Sequence, residues 1–295
     1  MIAKTYTCSL LGIDALLVEV EVDLSPGLPY FATVGLPDNI VRESKDRVKT
    51  ALQNSGYHLP SERITVNLAP AHLKKEGAGF DLPIAVGILA AMGLLDRQMA
   101  EQAILVGELA LDGRVKPVTG CLSMAIHARQ SGYRRMLLPE DNAQEAAVAD
   151  NLAVLPVKHL AEVVNFLNGS CTIDPVHIDR EAIWNTALTE TLDFEEVKGQ
   201  EHAKRGLEVA AAGGHNVLLI GPPGAGKTML SQRLPGILPL LSYEEALETS
   251  KVFSAAGLLN NQPLLVQRPF RSPHHTISDA GLIGGVALVS ISLYS

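Results

Sequence analysis

Gly221-Pro222-Pro223-Gly224-Ala225-Gly226-Lys227-Thr228 is the stretch whose residue types and spacing can do chemistry. It fits G-x-x-x-x-G-K-[ST], the pattern of a phosphate-binding loop. Its glycines let the backbone approach an anion closely and turn N–H groups toward it. Lys227 supplies a point charge for the β- and γ-phosphates, and the Thr228 hydroxyl is suited to ligate Mg²⁺ held with the nucleotide. ATP and Mg²⁺ are the expected cofactors. Such a loop needs a strand before it and a helix after it. Asn216-Val-Leu-Leu-Ile220 is a short apolar run that suits a buried parallel strand. Met229 to Leu234 suits the first turns of a helix, whose positive end adds to the anion site.

Other groups with chemical potential are less organised. His72, Lys74 and Lys75 follow Pro70 and read either as an anion site or as a surface loop. Glu108 and Asp112 flank a turn, which favours structural roles over acid–base work. From Thr249 to Ser278 there is no Asp or Glu, while Lys251, Arg268, Arg271, His274 and His275 fall inside. That stretch reads equally as an anion-facing surface and as a solvated loop. The acidic residues after Thr228 are Glu244, Glu245, Glu248 and Asp279, and none ends an apolar strand of the kind that organises Mg²⁺ and water for hydrolysis. Nucleotide binding is therefore expected more strongly than turnover.

The 295 residues suit two domains, with 47% apolar residues for their cores and a net charge of −8 that argues against broad attraction to nucleic acid. Cys8, Cys121 and Cys171 are widely spaced and odd in number, which predicts buried free thiols in a reducing cytoplasm rather than disulfides or zinc. No apolar run approaches the ~20 residues of a membrane span, and the N-terminus does not read as a secretion signal.

Elements that could position these groups alternate along residues 1 to 169. Strands are predicted at Asp14–Val22 (with one wet face), Phe31–Val34 and Ile64–Leu68. Asp38 should cap a helix running to about Asn54, with Ile40, Val41, Val48, Ala51 and Leu52 facing inward. Leu82 to Leu95 reads as a buried helix. Asp112-Gly113 marks a hairpin between Ile104–Leu111 and Arg114–Val118. Helices near 122–130, 141–149 and 160–167 alternate with strands at 136–138 and 152–155. The fold class is α/β.

Gly107-Glu-Leu-Ala-Leu-Asp-Gly-Arg-Val-Lys-Pro-Val118, with Gly120 and a helix behind it, resembles the proteolytic domain of the Lon family. That implies an α/β fold like domain 2 of ribosomal protein S5, and a Ser-Lys dyad. The dyad is missing. The segment matching the Lon serine region is Lys75-Glu-Gly-Ala-Gly-Phe-Asp-Leu-Pro83, with no serine between Ser61 and Ser123. The position matching the Lon lysine falls at about Leu122, with no lysine between Lys116 and Lys158. A nucleophile without its base, or neither, cannot cleave a peptide.

Residues 170–192 read as a linker with some helix. From Phe194, through Leu207-Glu-Val-Ala-Ala-Ala-Gly-Gly214 and the phosphate loop, to Ser254-Ala-Ala-Gly257 and Arg268-Pro-Phe-Arg-Ser-Pro-His-His-Thr276, the chain resembles magnesium-chelatase-like AAA+ ATPases. Its nearest likeness is the ComM/YifB family, which shares the Lon-like first domain. The resemblance implies domains at 1–169 and 193–285, the second an incomplete P-loop AAA+ α/β domain. It places Val197, Gly199 and Gln200 near the adenine. For the intact family it implies a homo-oligomeric, hexameric ring ATPase acting on DNA, in branch migration during recombination or transformation. A chelatase-type motor for metal insertion and a non-catalytic docking fragment are the alternatives.

Residues 286–295 depart from that pattern and read as the product of a shifted frame. Without the strands that follow in such sheets, Val217–Ile220 would lack neighbours. The first domain is then expected to be well folded and the second marginal, with proteolysis trimming the chain toward residue 170.

Overall fold

The computed structural model describes residues 2–189, 192–259, 262–273 and 276. The chain divides into two units by its contacts. The first comprises Met1–Ile178 with Lys251–Pro263, and the second Asp179–Ser250 with the residues from Leu264 on.

The first unit is built on a seven-stranded mixed sheet. Its strands are β1 (Ile2–Leu11), β2 (Asp14–Ser25), β3 (Tyr30–Val34), β4 (Arg63–Ala69), β5 (Ile104–Leu105), β8 (Arg135–Pro139) and β9 (Ala153–Val157), in the order β3-β4-β2-β1-β5-β8-β9. β1, β2 and β4 are antiparallel neighbours, and the remaining pairs are parallel. A separate hairpin pairs β6 (Glu108–Leu109) with β7 (Val115–Lys116) across the Asp112-Gly113 turn. The helices are α1 (Asn39–Asn54), α2 (Asp81–Ala91), α3 (Arg97–Glu101), α4 (Cys121–Gln130), α5 (Ala143–Ala146) and α6 (Leu160–Leu167).

Two cores form because successive strand residues face opposite sides of a sheet. Along β8, Leu137 joins one core while Met136 and Leu138 join the other. The first core packs α1, α2 and α6 with Val18, Val20 and Val22 of β2. The second packs α4 and α5 with Cys8, Ile104 and Val154. The wet face of β2 is held by ion pairs: Lys4 Nζ lies 2.8 Å from Glu19 and 3.3 Å from Glu21. Asp38 caps α1 by accepting the Val41 N–H at 2.8 Å. The buried helix expected over 82–95 ends earlier, at Ala91, and the one near 141–149 shrinks to Ala143–Ala146.

The join between β3 and α1 requires glycine. Gly35 has φ +98°, and a Cβ there would stand 2.1 Å from the carbonyl oxygen of Leu68 on the neighbouring strand. A backbone oxygen cannot move aside cheaply. Gly35→Ala should destabilise the first unit by about 2 kcal/mol or more, since the left-handed backbone alone strains a side chain by ~1–3 kcal/mol. Urea unfolding followed by far-UV circular dichroism would measure it.

In the second unit the described helices are α7 (Arg180–Thr189), α8 (Glu201–Gly213), α9 (Lys227–Ile237) and the first part of α10 (Tyr243–Ala255). The Arg180 guanidinium lies 4.4 Å from the Tyr243 ring centroid, and Trp184 packs against the same ring. The strand expected over Asn216–Ile220 is not formed. Among the described residues none pairs with it, and a strand is defined by its neighbour's hydrogen bonds. Leu218 and Ile220 are 82% and 87% exposed. No helix among the described residues is long and apolar enough to cross a membrane.

Candidate nucleotide site

The phosphate loop is positioned by a small apolar nucleus. Phe194, Val197, Leu207 and Leu230 are buried together, with Ala203, Leu234 and Ile237 packed around them. α8 contributes Leu207, α9 contributes Leu230, and the 3₁₀ turn Phe194–Glu196 closes the group. An ion pair reinforces it: Arg233 of α9 meets the Glu196 carboxylate, and its Nε donates to the Asp193 carbonyl at 3.1 Å. The sequence gives no local sign of this pair, because its partners are 37 residues apart.

α8 ends at Gly214, whose left-handed φ of +64° lets its N–H reach back to the helix carbonyls. The chain then runs to Gly221 without regular secondary structure. Gly224 and Gly226 have φ of +79° and +83°, with open space where a Cβ would project. Gly226 is the residue before α9, and the first hydrogen bond around that helix end runs from the Leu230 N–H to the Gly226 carbonyl at 3.0 Å. The amides of Lys227, Thr228 and Met229 precede it and have no ladder partner, as at every helix N-terminus. Lys227 folds back over the loop, donating to the carbonyls of Gly221 and Pro222, each at 2.8 Å. Pro222, Pro223 and Thr228 are exposed, and Ala225 is half-buried.

These residues fit a triphosphate. The loop offers open amides, a helix end and a lysine whose ammonium rests on two carbonyls that phosphate oxygens can replace. The groups expected at the adenine separate. The Val197 side chain lies in the apolar nucleus at 5% exposure, while Gly199 and Gln200 are exposed and left-handed at the start of α8. Val197 thus ties the turn to the same nucleus as the loop.

The acidic residues after the loop are otherwise engaged. Glu245 accepts the Ser242 N–H at 2.9 Å, and Ser242 Oγ accepts the Glu245 N–H at 3.2 Å, a capping box at the start of α10. The Ser242 N–H, with Arg268 beside it, holds the Glu245 carboxyl below its usual range. Glu244 and Glu248 are exposed, and Asp279 lies outside the described residues. Among the described residues no three His, Cys, Asp or Glu side chains gather as a metal site.

The remaining candidates take structural roles. Lys75 is buried at 1% exposure, its ammonium donating to the carbonyls of Pro70 and of Leu73, the latter at 2.8 Å. Burial lowers its pKa. Lys74 pairs with Glu76, and His72 is exposed, so no anion site forms there. Asp112 pairs with Arg114 at 2.7 Å, and Glu108 lies 3.6 Å from Lys116. Lys251 pairs with Asp14 and Arg268 with Glu245, which disperses the basic stretch; His274 and His275 lie outside the described residues.

In the first unit a cleft of about 230 Å³ lies where Ala78 and Gly79 face Met124 of α4. Met124, and not the fully buried Leu122, is the α4 side chain on that cleft. Neither is a lysine, and Ala78 and Gly79 carry no hydroxyl.

Two family models match the chain. The family described as subunit ChlI of Mg-chelatase matches residues 20–142, and magnesium chelatase, subunit ChlI, matches residues 193–291, reaching past residue 285. YifB of Salmonella typhimurium is 46% identical over 97% of this chain and 56% of its own length. Competence protein ComM of Haemophilus influenzae is 46% identical over 96% of this chain and 56% of its own. Lon protease 1 of Bacillus subtilis is 24% identical over 50% of this chain and 20% of its own. The chain spans about 56% of the length of the YifB and ComM relatives. It belongs to the YifB/ComM family of magnesium-chelatase ChlI-like proteins.

Proposed function

We propose that the second unit binds Mg-ATP through Gly221–Thr228, with Val197, Gly199 and Gln200 on the adenine side. In the whole protein this binding would drive a cytoplasmic, ring-forming AAA+ motor that acts on DNA. Family membership supports an ATPase-type module. The observation that carries the reading is the loop itself: two left-handed glycines, a helix start with free amides, and Lys227 resting on two carbonyls. Mg-ATP supplies a terminal phosphoryl group open to transfer. Lys227 and the loop amides would hold its oxygens, and Thr228 would hold the metal. The DNA role rests on the family resemblance and on the competence named for the Haemophilus relative.

Turnover by the 295 residues alone should be slow. Among the described residues the carboxylates that follow the loop most closely are a cap and solvated helix residues, and none of these is placed to orient water. A site in which no group stabilises the transferring phosphoryl works roughly 10³-fold or more slowly. Affinity and hydrolysis measured side by side on this chain test the reading. Saturable Mg-ATP binding with little turnover is expected, and absence of saturable binding rejects it. On a full-length relative, stimulation by DNA against stimulation by a porphyrin separates the DNA motor from a metal-inserting one.

A further inference from the structure

A buried polar cluster of the first unit surrounds Ser254. Lys251–Pro263 belongs to that unit by its contacts, far from it in sequence. α4 starts behind Gly120, which is left-handed at φ +81° and leaves the first amides of the helix pointing outward. Ser254 meets them. Its carbonyl accepts the Gly120 N–H at 2.9 Å, and its Oγ lies 3.4 Å from the Leu122 nitrogen. The Ser254 hydroxyl donates to Glu145, whose other oxygen accepts from Asn142 Nδ2 at 2.7 Å. Asn142 in turn clamps both backbone groups of Val118, at 2.8 and 2.9 Å. Ser254, Asn142 and Glu145 are 2%, 7% and 8% exposed. Three residues on, a Cβ at Gly257 would come within 3.1 Å of Thr119. Lys251, at the entry, pairs with Asp14 at 3.3 Å.

Burial of a carboxyl is unfavourable unless its oxygens are satisfied. One of those partners here comes from 109 residues away. Without the segment, Glu145 and the amides of Gly120 and Leu122 would all lose a partner at one spot. The features are selective. Two amides take the oxygens of a serine, one carboxyl takes its proton, and a left-handed backbone at φ +71° beside Thr119 calls for glycine three residues later. Val118 and Thr119 also border the cleft by Ala78 and Gly79 that holds neither serine nor lysine.

We propose that this corner of the first unit is a receptor for a helix end of sequence Ser-Ala-Ala-Gly, occupied in this chain by its own Ser254–Gly257. The Lon-like unit grips protein there rather than cutting it.

Hydrogen exchange on the full chain tests this. Ser254→Asp sets a second carboxylate against Glu145, and Gly257→Val crowds Thr119 without touching Glu145. In both, the Gly120 amide should exchange at least ~10-fold faster and trypsin should cut after Lys251, while core amides such as Ile88 in α2 stay protected. A peptide spanning Glu248–Pro263 should restore Gly120 protection in either variant and leave the wild-type chain, whose receptor is filled, unchanged. Glu145→Gln, which keeps a hydrogen-bonding group toward Ser254, should retain protection. Unchanged Gly120 exchange in both variants, or a peptide that restores it in neither, overturns the proposal.

Discussion

Mg-ATP at a concentration that stabilises the wild-type second unit by about 2.7 kcal/mol should stabilise a Lys227→Ala chain by only about 0.4–1.4 kcal/mol. The first figure is the linkage expected at ~100 times the dissociation constant. The second follows from removing a charged donor. Such a hydrogen bond contributes about 1.5–3 kcal/mol, which corresponds to roughly 10- to 100-fold in affinity. At the upper end the same nucleotide concentration only equals the new dissociation constant, and the gain falls to RT ln 2. The measurement has a natural probe. Trp184 is the single tryptophan of the chain, and it packs against Tyr243 within the second unit. Urea unfolding followed by its fluorescence therefore reports the unit that carries the loop. Equal nucleotide shifts in the two chains would move the binding site away from Lys227.

Arg47→Ala should destabilise the first unit by about 3–5 kcal/mol near pH 7.5, the range seen when a buried ion pair loses one partner. Arg47 of α1 holds Asp81 at the start of α2 through two bonds of 2.7 and 3.0 Å. Asp81 is fully buried and also accepts the Leu109 N–H at 3.1 Å, so its charge has no route to water. Burial already pushes this carboxyl from 3.8 up to about 6, against the pull of Arg47. A carboxylic acid that titrates higher when folded holds its proton more tightly in the folded chain. Its contribution favours folding at low pH and is lost as pH rises through about 6. Removing Arg47 removes the group that opposes protonation, so the loss should shrink markedly between pH 7.5 and pH 5. Denaturant midpoints by far-UV circular dichroism at the two pH values would show it. A pH-independent loss would mean that the pair acts through packing alone.

What was legible in the sequence was local. The glycine turn before α9, the Asp38 cap and the Asp112-Gly113 turn declare themselves within a few residues, because backbone geometry and a short hydrogen bond fix them. β1 escaped because its buried side reads Ala3, Thr5, Thr7, Ser9, so its inward positions are small and polar instead of apolar. Thr5 is accommodated by donating to the Pro83 carbonyl of α2, a partner 78 residues away. α10 escaped for the same reason. Its buried face is Ala246, Ser250 and Ser254, spaced four apart, with the serines satisfied by Leu265 and Glu145. Asn216–Ile220 erred in the other direction. Its composition favours a strand, yet a strand needs a hydrogen-bonded neighbour, and none is present among the described residues. The Arg47–Asp81 and Arg233–Glu196 pairs could not be read at all, since charge spacing along a chain says nothing about which helices will meet.

Lys75 carries a practical consequence. Its amine is walled in by backbone oxygens and is nearly inaccessible to solvent, whereas Lys74 beside it stands in water with its side chain 66% exposed. An acylating reagent added to the intact fold should mark the one and spare its neighbour. The ratio of label on two adjacent residues then becomes an internal gauge of whether the first unit is closed, readable by mass spectrometry in a crude extract.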